Sequence, residues 1–301
     1  MSSATYARPA DERVDWVFSI PFFIVHLLPL LAIFTGVRWV DVALCIGLYY
    51  ARMFFISAGF HRYFAHRSYK LSRFMQFLMA FGGGTAAQKG ALWWASYHRH
   101  HHRYSDQEQD VHSPKKGFWW SHCGWFLASK FEVTHPELIP DFWKFPELRF
   151  LNRYHLVPPI ALGAVVWLFG GWSALLIGFF LSTVILWHGT FTINSLSHVY
   201  GHRRYVTTDT SRNSFLLALI TCGEGWHNNH HYYQASMRNG FFWWEIDFSY
   251  YMVKGLSFLG LARDLKQPRP ELLYRNRVKD GHWDIGMLGP LVTPPFRVVE
   301  D

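Results

Sequence analysis

Histidine is the residue type in this sequence whose number and spacing point to chemistry. There are 18 in 301 residues, and the ones that matter are clustered. In Trp94-Ala-Ser-Tyr-His98-Arg-His-His101-His102-Arg103, positions i, i+3 and i+4 share one helix face. Three imidazoles are thereby aimed into one small volume. His227-Asn-Asn-His230-His231 repeats the spacing, and His61-Arg-Tyr-Phe-Ala-His66 is a third cluster. His198, in Asn194-Ser-Leu-Ser-His198, brings the set to nine. One metal cannot take nine ligands, whereas two can share them, four or five each. Imidazole suits iron, copper, zinc or nickel, and thiolate and carboxylate are scarce in these motifs. His61 and His66 lie five residues apart, about 140° around an ideal helix, so they are expected to share a metal only if the helix ends between them. Carboxylates or amides commonly orient ligating imidazoles, and Asp106, Glu108, Asp110, Asp209, Glu224 and Asn228 are available. His26, His112, His122, His135, His155, His188, His202 and His282 are read as ordinary hydrogen-bonding residues of the surface. His100 falls off the shared face.

The elements that must hold these clusters look membrane-bound. Half of the residues are hydrophobic, 19% are aromatic and 17% are charged, against about 25% charged in soluble domains. The net charge of +8 is scattered between long apolar runs. That argues against nucleic acid as a partner and for anionic lipid or an acidic protein. Cys45, Cys123 and Cys222 form no metal-binding pair. Residues 16–37 and 40–60 are each long enough to span a bilayer and are joined by a short link, so they are expected to form a hairpin. Residues 156–172 and 173–193 form a second, turned at Gly170-Gly171. Residues 71–94 carry Gly82-Gly83-Gly84, which predicts an interfacial or re-entrant element. Lys and Arg are concentrated outside the hairpin turns, which puts both termini and all three clusters in the cytosol. The expected architecture is all-α and integral to the membrane, a single domain over 1–301. Four transmembrane helices in two hairpins (16–60 and 156–193) carry a cytosolic helical cap from 61–155 and 194–262, with an irregular tail over 263–301.

These motifs, in this order and interleaved with two hairpins, resemble the membrane fatty acyl desaturases of the stearoyl-CoA desaturase type. The likeness covers roughly residues 16–262 and includes Gly223-Glu-Gly-Trp-His-Asn-Asn-His-His231 and Gly117-Phe-Trp-Trp-Ser-His-Cys-Gly-Trp125. It implies two iron ions held by His61, His66, His98, His101, His102, His198, His227, His230 and His231, with Asn194 acting through water. It also implies O2, electrons from a separate donor such as cytochrome b5, ferredoxin or rubredoxin with its reductase, and a cis double bond, most often at position 9. An unactivated methylene offers no acidic proton, so its oxidation falls to the cofactor, while the protein positions the chain in a dry, bent tunnel.

By the same resemblance, Gln88, Trp94 and Thr190 match the tunnel bend, Phe191 stands where the family has Trp, and Tyr49 matches the closed end. Met53 replaces a small residue and is expected to shorten the tunnel, favouring palmitoyl or shorter chains. The family's basic residues for the CoA phosphates are Ser96 and His100 here. Arg99, Arg103, Lys115 and Lys116 are the substitutes expected to meet the head group or the donor. Acyl-CoA is the expected carrier, with a phospholipid or carrier-protein ester as the alternative. Two rival functions are weighed: acyl or alkane hydroxylation on a similar site, and a membrane metal transporter. Ligands of a transporter belong near the bilayer midplane, whereas these clusters fall at helix ends.

Overall fold

The computed structural model describes residue 9, residues 11–278 and residues 283–284. The remainder of the expected tail, most of the short amino-terminal segment and His282 lie outside the described residues. Helix α1 covers Ile20–Thr35. It is narrower than expected because Pro29 lies in a tightened 3-10 turn, Leu28–Leu31, between two α-helical pieces. At this length it falls short of the about 20 residues that cross a bilayer unaided. Gly36 (φ 72) turns the chain, and α2 follows over Trp39–Ala65. The Asp41 carboxylate caps its start, accepting from the Arg38 backbone N–H at 3.0 Å and from the Arg38 guanidinium at 3.0 and 2.7 Å. After β1 (Lys70–Leu71) come α3 (Arg73–Gly84) and α4 (Ala91–Tyr104), so the Gly-rich stretch does interrupt the helix. The small residues at Gly82 and Gly83 are needed because the Phe55 and Phe60 rings occupy the space of a side chain.

Helix α5 (Val157–Ser173) breaks at Gly171, where φ is 73 and ψ −165. The chain then folds back through a π-helical stretch, Ala174–Leu181, into α6 (Ser182–Asn194). The reversal is plain from Gly163, whose Cβ position would lie 3.4 Å from the Phe179 ring. Two helical runs, Trp39–Ala65 and Val157–His198, are long and apolar enough to cross a membrane. Ala32, Cys45, Leu176 and Ile177 pack α1, α2 and the returning stretch together.

A buried cation fastens these elements. Arg52, 2% exposed, donates to Thr183 Oγ1 (2.7 Å), Ser182 Oγ (2.5 Å) and the Thr85 carbonyl (3.3 Å). Hydroxyls and carbonyls thus replace the carboxylate that a buried charge usually finds. The remaining elements that bear on the site are β2 (Gly201–His202), α7 (His227–Tyr232), α8 (Phe248–Phe258) and β3 (Ala262–Arg263), with β4 (Trp283–Asp284). β1 pairs with β3 and β2 with β4, both antiparallel. The sheets are two-residue clasps in a helical protein.

Candidate metal centre

The helix ends at Ala65, between His61 and His66 as the sequence led us to expect, but only after a change of winding. Residues 55–65 wind as a π-helix, whose i→i+5 hydrogen bonding brings positions five apart nearly into line. The His66 N–H donates to the His61 carbonyl at 3.2 Å, and the two rings stand 4.8 Å apart. α4 and α7 supply the other two clusters from ordinary helical turns. Gly223 and Gly225 lead into α7. Gly223 has φ 109 with Asp247 where a side chain would stand, and Gly225 is pressed against the Leu217–Ala218 backbone.

The nine histidines divide in space. His61, His66, His98, His102 and His230 converge as one group, and His101, His198, His227 and His231 as another. In the first, Nε2 atoms meet at 3.0 Å (His61–His230) and 2.9 Å (His66–His98, His98–His102, His102–His230). In the second, His198 and His227 meet at 3.0 Å. Such separations are the edges of a coordination shell with metal–nitrogen bonds of about 2.1 Å. Burial, then the neighbouring imidazoles, push His66, His98, His102, His227 and His230 well below the ordinary histidine range. Neutral rings turned toward one another present lone pairs, and a cation is what satisfies them. The Nε2 of His231 is buried without a partner, while its Nδ1 is held by Asp209 at 2.7 Å. The residues therefore fit a pair of metal ions with an all-imidazole donor set.

Carboxylates behind the rings fix their tautomers. Glu224 Oε2 lies 2.6 Å from His61 Nδ1, both Asp110 oxygens 3.0 Å from His101 Nδ1, and Asp106 Oδ2 3.4 Å from His198 Nδ1. Of the other available groups, Glu108 is exposed. Asn228 instead accepts the backbone N–H of Arg204 (2.9 Å) and Tyr205 (2.7 Å). Burial by itself raises the Glu224 carboxyl, but the Arg62 charge and then His61 outweigh it and bring it down to about 2. Against the same penalty, His101 brings Asp110 to about 2.

These directions set the acid response of the metal-free protein. Those five histidines and both carboxylates have folded values below their unfolded ones, so each gives stability that is lost as pH falls. At His198 burial is outweighed by Asp106, which raises the value, so that residue acts in the opposite sense. The histidine share goes first, below about pH 6.5, and the carboxylate share below about pH 4. The urea midpoint of metal-free protein in detergent should fall between pH 7.5 and pH 5, and added metal should flatten that stretch. A midpoint constant over this range would contradict the assignment of buried neutral ligands.

Sequence reasoning missed three features. His112, read as a surface residue, is buried and stacks on His101 with ring centroids 4.2 Å apart. The spacing Asp110-x-His112 beside the second cluster was its one signal. His26, His188 and His122, read the same way, form a chain: His26 Nε2 to His188 Nε2 at 3.1 Å, His188 Nδ1 to His122 Nε2 at 2.9 Å, and His122 Nδ1 to Ser195 Oγ at 2.9 Å. The docking cations are mostly spent on the fold. Arg99 pairs with Asp141 (2.8 and 2.9 Å) and donates to the Phe64 and Ala65 carbonyls. Lys116 is buried against Glu12 at 3.0 Å, and the Lys115 ammonium is tied to the Asp106 carbonyl at 3.0 Å. Arg103 alone of the four stays available, on a polar cavity that also reaches His102, His231 and Asp209.

A second cavity, of about 260 Å³, is apolar and is lined by His98 of the five-histidine group. Gln88, Trp94, Thr190, Phe191 and Asn194 all line it, as do Trp93, Phe126 and Trp187. Gln88 Nε2 donates to Thr190 Oγ1 at 3.0 Å. Tyr49 and Met53 are not on its wall. Both are buried behind Gly189, where an added Cβ would lie 2.6 Å from Tyr49 Oη and 3.2 Å from Met53 Cε.

The chain matches the fatty acid desaturase family model over residues 37–253. It is 36% identical to an sn-1 stearoyl-lipid 9-desaturase of Anabaena variabilis over 269 residues, 88% of this chain and 98% of that one. It is 34% identical to an sn-2 palmitoyl-lipid 9-desaturase of Nostoc sp. (strain 36) over 280 residues, 89% and 98% of the two chains. An acyl-CoA 5-desaturase of Anemone leveillei is 38% identical over 264 residues, 85% and 82% of the two.

Proposed function

The chain belongs to the fatty acid desaturase family, and we propose that it sets a cis double bond at position 9 of a saturated acyl chain carried as an ester or thioester. The observation that supports this most is the juxtaposition of nine imidazoles, in groups of five and four and six of them buried, with an apolar cavity that His98 lines. Two iron ions, when bound there, would supply the O2-dependent removal of hydrogen from unactivated methylenes. O2 takes up two substrate hydrogens, two donor electrons and two protons, and leaves as two waters.

The protein's own part is placement. Trp94, Phe191 and Trp187 hold the alkyl chain and exclude water, while the paired Gln88 and Thr190 give the wall a fixed shape. Asn194, which lines the same cavity as His98, is proposed to act on one of the ions through water. The electron donor is a separate protein, and the polar cavity bordered by Arg103, His102 and His231 is the approach we assign to it. We propose further that the chain is one domain with four spans in two hairpins, the clusters facing the cytosol. The reversals at Gly36 and Gly171 support this, as does the concentration of Lys and Arg outside them.

The test is lipid profiling by mass spectrometry, with double-bond localisation, in a desaturase-deficient strain expressing the full chain, with His101→Ala as control. A cis-9 monoene made only by the intact chain is the expected result. A hydroxylated acid would transfer the site to hydroxylation, and no new lipid from well-expressed, iron-loaded protein supplied with a donor would overturn the proposal. Met53, 1% exposed and packed behind Gly189 next to the wall residue Thr190, is proposed to limit how far the acyl path can extend past that wall. Met53→Ala should therefore raise the C18:C16 product ratio several-fold, because room for two more methylenes in an apolar pocket carries that much selectivity. An unchanged ratio would show that Met53 only packs between helices.

A further inference from the structure

The link between α3 and α4 is held in a conformation that ordinary residues avoid. Ala87 and Lys89 both have positive φ, 54 and 60. Strain of this kind persists where packing over-determines it and where function uses it. The packing is visible at Gly90, whose Cβ position would lie 2.5 Å from Asn152 Cα. The result is that Gln88 and Lys89 both line the apolar cavity. Gln88 is paired with Thr190. Lys89 is not paired: its ammonium lies 4.6 Å from the Trp93 ring centroid and 5.5 Å from that of Phe18. Glu132 acts on it only through space, and burial lowers it to about 8, which leaves it mainly protonated at neutral pH. A cation caged by aromatic rings on an apolar wall lacks one thing, an oxygen acceptor.

Its place along the cavity says which oxygen. Leu156, 56% exposed, lines the same cavity. The Lys89 ammonium lies over the ring of half-buried Phe18, which lines the cavity with Leu156, so Lys89 stands toward the open rim. His98 stands with the five-histidine group. From Gly90 to His98 the helix rises about 12 Å. The eight C–C bonds from carbon 1 to carbon 9 of an extended chain, each about 1.5 Å and zigzag, span roughly 10 Å. We propose that Lys89 holds the carbonyl oxygen of the acyl ester or thioester and so sets the count of carbons between the carboxyl end and the oxidised pair. This deepens the desaturase reading and rests on it.

The experiment uses the full chain in nanodiscs, with Lys89→Met and Lys89→Arg. Stearoyl-CoA and sn-1 stearoyl phosphatidylglycerol, each carrying 13C at carbon 1, are bound to metal-free protein and read by infrared difference. Lys89 should lower the carbonyl stretch of the true carrier, Lys89→Met should abolish that shift, and Lys89→Arg should keep it. The arm that responds identifies the carrier. In turnover with reduced donor, Lys89→Met should raise KM about tenfold, as loss of a charge-assisted hydrogen bond does. It should leave kcat within about twofold, and it should spread the double bond over neighbouring positions. A carbonyl stretch and a double-bond position both unchanged in folded Lys89→Met would overturn the proposal. A Lys89-dependent carbonyl shift in a chain that makes no alkene would instead overturn the desaturase reading and keep the carbonyl anchor.

Discussion

His227→Ala is expected to reduce bound iron from two ions to one and to lower desaturation by more than about 100-fold, beyond what loss of a supporting carboxylate causes. His227 belongs to the four-histidine group, which it shares with His101, His198 and His231. Three imidazoles would remain there, and no carboxylate can swing in. Asp106, Asp110 and Asp209 are each committed to the Nδ1 of a histidine of this group. The five-histidine group draws on other residues and should keep its ion. His100→Ala is the matched control, because its ring leaves the cluster to meet the Gln109 carbonyl at 2.9 Å. Metal analysis of the purified variants decides: loss of both ions in His227→Ala would mean that the two groups fold as one cooperative site, and retention of both would remove His227 from the ligand set.

The spacing of the second and third clusters made them legible because an α-helix turns i, i+3 and i+4 to one side without help from the rest of the chain. The winding behind the first cluster was not legible, for the same reason in reverse. Its alignment depends on π-helical winding through residues 55–65, and the space for that winding is set by distant partners such as Gly82 and Gly83, on which Phe55 and Phe60 pack. The orienting carboxylates were visible as candidates, yet choosing among them required the fold. Asp106 serves His198 only because its φ of 59 carries the chain beyond the end of α4 and back under Thr210, whose N–H and hydroxyl both donate to it at 2.6 Å. Charge was the least legible property. Arg99 and Lys116 look like surface cations in the sequence and are internal fasteners in the structure. Lys89 drew no attention there, although it is the cation left without an ion partner on the acyl cavity.

Arg62→Met is expected to be the most damaging single change outside the ligands, costing about 3–5 kcal/mol because it strands two buried carboxylates. Arg62 is 1% exposed and donates to Glu224 Oε1 (2.9 Å), to both Asp247 oxygens (2.8 and 2.9 Å) and to the Met237 carbonyl (2.8 Å). It therefore ties α2 to the start of α8 and to the loop that leads into α7. The effect reaches the metal as well. Arg62 is the strongest influence holding Glu224 ionised, so without it the carboxyl moves up, takes a proton and ceases to accept from His61 Nδ1. Two measurements separate these consequences. Urea midpoints should show the stability loss in Arg62→Met and a substantial recovery in the triple change Arg62→Met, Glu224→Gln, Asp247→Asn, which removes the stranded charges. Iron affinity should stay about 10–100-fold weaker in both, because neither leaves a carboxylate behind His61. If the triple variant recovered iron affinity along with stability, Glu224 would be a structural partner of Arg62 and not an orienting group for the ligand.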